Sequence, residues 1–291
     1  MPLIASVNRQ PGRWWHFVQF PATRLMLAAV AVLAWIGALQ AGVKALRIAP
    51  ESPLGVSVGA LLAAGVLAVY AAFVRLVERR AVVELGASGA AAEFAKGALV
   101  GAALFSASML LLWMLGAWRL AGTGGAGPLL YALAGAVIAA CVEEVLVRGV
   151  LFRILEESLG SWIALGLSAL IFGLLHAFNP GANVVSTVAI ALEAGVLLAA
   201  AYMYARRLWL VIGLHAAWNF TEGGIFGVSV SGGRAHGLLR VQFQGSDLLT
   251  GGTFGPEASI VAVVLCLAAG IGFIVLARRR GCVVPPVWQR A

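Results

Sequence analysis

Blocks of apolar residues long enough to cross a bilayer follow one another along this chain, separated by short polar connections. About 20 helical residues cover the roughly 30 Å of hydrocarbon in a bilayer. Eight stretches meet that requirement: 25–43, 54–77, 97–120, 128–150, 162–178, 184–204, 208–226 and 257–277. The pattern predicts an all-α, polytopic membrane protein with about eight transmembrane helices in a single bundle. Residues 1–24 form a polar leader in which Trp14 and Trp15 suit the headgroup layer, 25–277 form the membrane domain, and 278–291 form a basic tail. Residues 122–127 read as a glycine-rich turn and 227–256 as a longer loop of mixed charge at the same end of the bundle. The connection holding Glu78, Arg79, Arg80 and Glu84 reads as a solvated loop with lipid-facing arginines. No internal repeat and no soluble second domain interrupts the pattern. Gly and Ala are frequent within the spans, which lets backbones approach closely where lipid gives helices no hydrophobic drive to associate.

Composition agrees. Of 291 residues 62% are hydrophobic and 11% charged, far from the averages of a soluble domain. The net charge of +8 does not point to nucleic acid, because the basic residues are scattered over short connections and form no soluble basic face. Their distribution bears on topology instead. Of the 20 Lys and Arg residues, Lys44, Arg47, Arg119, Arg234 and Arg240 fall at one end of the expected bundle. The other fifteen, Arg9 and Arg13 among them, fall at or toward the opposite end. That bias predicts a multi-pass protein of the inner (plasma) membrane with both termini cytoplasmic. The first apolar block is too long for a signal peptide and lacks a small-residue cleavage site, so it reads as a retained span. The three cysteines, Cys141, Cys266 and Cys282, imply no disulfide framework, and an apolar setting disfavours a nucleophilic thiolate at Cys141.

Against this apolar background a few polar groups stand out, and a carboxylate within a span is costly enough to be a functional hypothesis. Glu143 and Glu144 are adjacent in the fourth block. Glu144 precedes Arg148 by four residues, the favourable order for a helical ion pair, while Glu143 projects about 100° away. A hairpin about Leu159, Gly160 and Ser161 puts Glu144 and His176 each sixteen residues from Gly160, at equal depth on neighbouring antiparallel helices. In the seventh block His215 and Asn219 share one helical face. Mirroring the sixth block about Arg206 sets Glu193 level with Asn219, where it could orient that amide or a water. Carboxylates and imidazoles meeting in a partly dry, polar intramembrane cavity can hold and deprotonate water, which is what peptide hydrolysis requires. Such groups also build proton relays, so a proton-coupled transporter is the competing reading of the set.

Glu143-Glu144-x-x-x-Arg148, then Phe172-x-x-x-His176, then His215-x-x-x-Asn219, in that order on separate spans, resembles the CAAX protease and bacteriocin-processing (CPBP, or Abi) intramembrane endopeptidases. This family includes the Ras-converting CAAX endopeptidase. The motifs lie within 128–226, and the connection around Glu78 and Glu84 is also similar to that family's. The resemblance implies a bundle of eight helices with a cavity open to the cytoplasm and an endopeptidase acting on a membrane-associated peptide or protein. It implies Glu143 as the base that activates water, His176 assisting it, Glu144 and Arg148 as a supporting pair, and His215 and Asn219 as stabilisers of the oxyanion.

Glu143, His176 and His215 could also hold a catalytic zinc. The chain lacks the His-Glu-x-x-His helix of zinc proteases, and the family has been described both ways, so a metal-free glutamic mechanism is preferred and zinc is the alternative. A non-catalytic, peptide-binding immunity-type protein is the remaining reading, and the intact motifs weigh against it.

Overall fold

The structure, a computed structural model, describes residues 13–290; residues 1–12 of the leader, with Arg9, lie outside that range. A short helix α1 (Arg13–Gln19) leads into α2 (Pro21–Ala45), and α3 (Pro53–Leu76) returns antiparallel to it. Pro53 starts α3 at the helical position where a missing N–H costs nothing, and the Ser52 hydroxyl accepts from Gly55 N at 3.0 Å to cap it. Next come α4 (Ala90–Met114), strand β1 (Trp118–Thr123), α5 (Leu129–Glu144) and α6 (Arg153–His176). Then α7 (Val184–Ile190), α8 (Val196–Ala205) and α9 (Leu208–Asn219) complete the core. Strand β2 (Leu239–Phe243), the short α10 (Asp247–Thr250) and α11 (Ile260–Arg279) end the chain. Three helices widen into π turns, at Val145–Phe152 after α5, Ala191–Gly195 between α7 and α8, and Phe220–Phe226 after α9.

Six helical runs are long and apolar enough to cross a membrane, and the protein is a multi-pass membrane protein. The longest, Leu129–His176, folds back on itself at Gly160, whose φ of 76° is open to glycine and strained for other residues. The hairpin expected at 159–161 is therefore present, with the helix continuing through Arg153, Glu156 and Glu157 up to the bend. The block 208–226 is helical throughout, but as twelve α-helical residues followed by a π turn.

Two expectations need correction. Residues 118–120 do not extend the third span: they belong to β1, which pairs antiparallel with β2 from inside the segment expected to be loop. Trp118 anchors this ribbon by donating Nε1–H to the Met109 carbonyl at 2.7 Å. The connection around Glu78 is not a solvated loop. Glu78 has a side chain 1% exposed and pairs with Arg24 at 3.2 Å, Arg80 at 2.9 Å and Arg153 at 2.7 Å, while buried Glu84 pairs with Arg80. Arg24 also meets Glu157, and Glu156 takes Arg206 in a two-pronged pair at 2.9 and 2.6 Å. Partners from α2, α6 and the connection itself make burial of these acids tolerable, since each buried charge finds a counter-charge. The network lies at the end of the bundle where the described residues begin and end.

The core sits between α4, α5, α9 and the helices beside them, with Val66, Tyr70, Phe105, Met109 and Leu112 fully enclosed. The pairing of α4 with α9 is the most extensive in the molecule and rests on glycines. A Cβ on Gly101 would sit 2.9 Å from the Leu214 carbonyl carbon, and one on Gly213 would sit 2.9 Å from that of Phe94. Gly101→Val should force these backbones apart and destabilise the protein by about 1–3 kcal/mol. A lower unfolding midpoint in detergent would report it, and an unchanged midpoint would show that the helices separate freely. The close approach matters because α9 carries His215 and Asn219.

Candidate active site

Glu143 and Glu144 are the last two residues of α5, and the π turn that follows carries Arg148. Phe172 and His176 lie one helical turn apart at the end of α6, as do His215 and Asn219 at the end of α9. Three helices thus bring their polar groups to one level of the bundle. A single turn of four residues separates the members of each pair, so each pair shares a face.

Glu144 and Arg148 are completely buried, and Arg148 Nη1 donates to Glu144 Oε1 at 2.9 Å. The same oxygen accepts from His215 Nδ1 at 2.8 Å. Arg148 Nη2 reaches the Ala194 and Gly195 carbonyls at 3.2 and 3.3 Å, in the second π turn, and its guanidinium lies 4.6 Å from the centre of the Phe172 ring. Arg148 therefore ties α5, α6 and the α7–α8 helix around one carboxylate.

The hydrogen bonds fix the imidazoles. Because a carbonyl oxygen only accepts, His176 Nδ1, 2.8 Å from the Phe172 carbonyl, carries a proton. His215 Nδ1 likewise donates to Glu144. In their neutral forms both rings then present a lone pair at Nε2. Both Nε2 atoms face Glu143 Oε2, at 4.0 Å from His176 and 3.9 Å from His215. That oxygen is buried and has no hydrogen-bond partner among the described residues.

A buried, unpartnered carboxylate oxygen calls for a missing partner. A water about 2.8 Å from two groups that are themselves about 4 Å apart subtends roughly 90° between them, an acceptable hydrogen-bonding angle. Tetrahedral zinc, with bonds of about 2.0–2.2 Å, holds its ligand atoms only about 3.3 Å apart. The observed separations are wider, and no group of three His, Cys, Asp or Glu among the described residues is arranged to hold a metal. The donor set as it stands fits water better than zinc.

His176, His215 and Asn219 line a cavity of about 20 Å³ together with Phe172, Trp218 and Glu193. That volume accommodates about one water. Asn219 also lines a second, far larger cavity of about 780 Å³ between α2, α3 and α5, so it stands where the two meet. The larger cavity runs along α5 from Pro128 to Ala139, and its rim includes Lys44, Arg47, Glu51, Arg234 and His236. It opens at the end of the bundle opposite the termini and the Glu78 network. The larger cavity, lined by Lys44, Arg47, Glu51 and Pro128, thus lies away from the basic, terminus-bearing side on which an opening is expected.

Glu193 lies in the second π turn, 2% exposed, and accepts from Cys266 Sγ at 3.5 Å. It shares the small cavity with Asn219, but no hydrogen bond joins them. Ser231, ahead of β2, and Glu257, just ahead of α11, complete the cavity wall and were not singled out by sequence. Glu257 opens an apolar block and looks there like an ordinary acid near a helix start. Glu222, wholly buried in the third π turn, was visible as an acid inside the seventh block. Cys141, buried on α5, lines neither cavity.

Residues 124–221 match the family model described as type II CAAX prenyl endopeptidase Rce1-like, and all six motif residues fall inside that stretch. No curated protein and no solved structure matches the chain. Through the segment that builds this site, the chain is similar to the CAAX protease family that this model describes.

Proposed function

We propose that this protein is an intramembrane endopeptidase in which Glu143 activates a water held against His176 and His215. The observation that carries the reading is the buried, unpartnered Glu143 Oε2 facing two imidazole Nε2 atoms across the width of one water. Glu143 takes a proton from that water, and the resulting hydroxide adds to the carbonyl carbon of the peptide bond. The oxyanion that forms is met by the Asn219 amide and by His215, which enters the step already protonated at both nitrogens, an imidazolium balanced by the Glu144 carboxylate, and donates from Nε2 without giving up its proton. When the tetrahedral intermediate collapses, the carbon–nitrogen bond breaks and the proton held by Glu143 passes to the leaving amine. His176, held by the Phe172 carbonyl, keeps an acceptor turned toward the water. Arg148 and Glu144 hold the scaffold and touch no substrate.

The substrate is a membrane-associated peptide or protein segment, the large apolar cavity is its seat, and the chain crosses the membrane eight times with both termini cytoplasmic. Purified protein in liposomes should cleave members of an apolar peptide library internally, with fragments identified by mass spectrometry. Chelation should leave the rate unchanged. Loss of cleavage on chelation, restored by zinc, would replace the metal-free mechanism; binding of peptides without any cleavage would favour the immunity-type reading.

A further inference from the structure

Acids outside the motifs also reach the site. Glu257 lines the small cavity with His215 and Asn219, whereas Glu143 does not line it. The water that Glu143 activates and this cavity are therefore two places, and the cavity is the seat of the group that His215 and Asn219 serve. Its volume of about 20 Å³ suits one oxygen of water or carbonyl size, and Phe172, Ile190, Leu197, Leu198 and Leu214 make much of its wall apolar. Glu193, which also lines it, already accepts from Cys266.

Glu257 is 3% exposed, and its Oε1 is buried without a hydrogen-bond partner among the described residues. Beside it stands Glu222, wholly buried and with both oxygens equally unpartnered. Neither forms an ion pair with a described residue, and Arg148, the guanidinium at this level, is taken by Glu144 at 2.9 Å. Buried Glu78, Glu84, Glu144 and Glu156, by contrast, each hold an arginine. A carboxyl that leaves water with no counter-charge and a second acid against it takes up a proton. Glu257 is then a carboxylic acid, and its O–H is a donor. It is not spent on α11, because Ser259 caps that helix by accepting from Ala262 N at 3.2 Å. Gly232 N–H donates to the Phe254 carbonyl at 2.7 Å, and Asn179 Nδ2 donates to the Ser231 carbonyl at 3.1 Å. The arms that carry Ser231 and Glu257 are thus clamped to each other and to the turn after α6.

Resting on the endopeptidase reading above, we propose that Glu257, as a neutral acid, is a third donor of the oxyanion pocket beside His215 and Asn219. It hydrogen-bonds the carbonyl oxygen of the bond being cut, more strongly as negative charge builds on that oxygen, and keeps its proton throughout. A carboxylic acid held neutral in an apolar site serves an oxyanion well, because a charge-assisted O–H···O bond strengthens away from water.

Infrared spectroscopy tests the protonation without turnover. Adding Glu257→Gln to Glu143→Gln protein should remove a protonated-carboxyl C=O band, one that shifts in heavy water. Loss of carboxylate bands alone would overturn the proposal whether or not the protein is a peptidase. Cleavage of the library peptide that the parent cuts fastest tests the donation. Glu257→Met, which keeps the bulk and removes the donor, should lower kcat about 10²- to 10³-fold with KM little changed. Glu257→Gln, whose amide N–H still donates, should recover most of that loss and stay within about tenfold of the parent. Equal loss in both variants, at parent-like unfolding midpoints, would overturn the role of a neutral donor. Parent-like cleavage by Glu257→Met, with Glu143→Gln inactive, would remove Glu257 from the pocket and leave the hydrolytic mechanism standing.

Discussion

Glu143→Gln protein should insert and fold like the parent and bind peptide, yet cleave about 10²- to 10⁴-fold more slowly. Gln keeps the size of Glu and can still hydrogen-bond a water, but its amide does not accept a proton at neutral pH. The change is local because Oε2 makes no hydrogen bond to any described residue, so no packing contact depends on its charge. Glu144, one residue on, holds Arg148 and His215 through Oε1 and is wholly buried, and it faces the Nδ1 of His215, not the two Nε2 atoms that Glu143 meets. A parent-like unfolding midpoint together with lost cleavage is the expected pair of results. Cleavage within tenfold of the parent would move the base elsewhere, and Glu193 and Glu257, which line the small cavity with His176 and His215, would be examined next.

Arg148→Ala should have a different signature. Here the expected result is loss of stability of about 3–5 kcal/mol, because the change strands the Glu144 carboxylate at zero exposure. It also frees the two carbonyls of the second π turn and empties the face of Phe172. Low yield and an early unfolding transition would report this. Pairing Arg148→Met with Glu144→Gln should recover much of the stability, since an apolar side chain beside a neutral amide leaves no buried charge. An Arg148→Ala protein as stable as the parent but inactive would place the guanidinium in the chemistry.

How much of this was legible in the sequence follows from where each constraint acts. Lipid tolerates few exposed polar groups, so the apolar blocks declare themselves locally, and the Leu159-Gly160-Ser161 bend carries its own signal in a glycine. Glu143, Glu144, Arg148, His176, His215 and Asn219 stood out in the sequence because few such groups fall within the spans, Glu193 and Glu222 being among the others. The β1–β2 ribbon was not: Arg119 meets Gln242 across 123 residues, and Trp118 and Leu120 run on from the apolar span before them. Burial of Glu78 was hidden for the same reason, since its partners Arg24 and Arg153 are remote in the chain. The side on which the large cavity opens depends on how α2, α3 and α5 splay, and no residue type encodes that.

Three of the helix runs around the site, α5, α7–α8 and α9, pass through a wide turn holding one residue more than an α-helix would. Catalytic alignment here is thus a property of chain length as well as of side-chain identity. Deleting one residue between 191 and 195 would let that stretch relax to ordinary winding and turn its later residues by about 100°. The carbonyls that cradle Arg148 would swing toward lipid without a single functional group having been replaced.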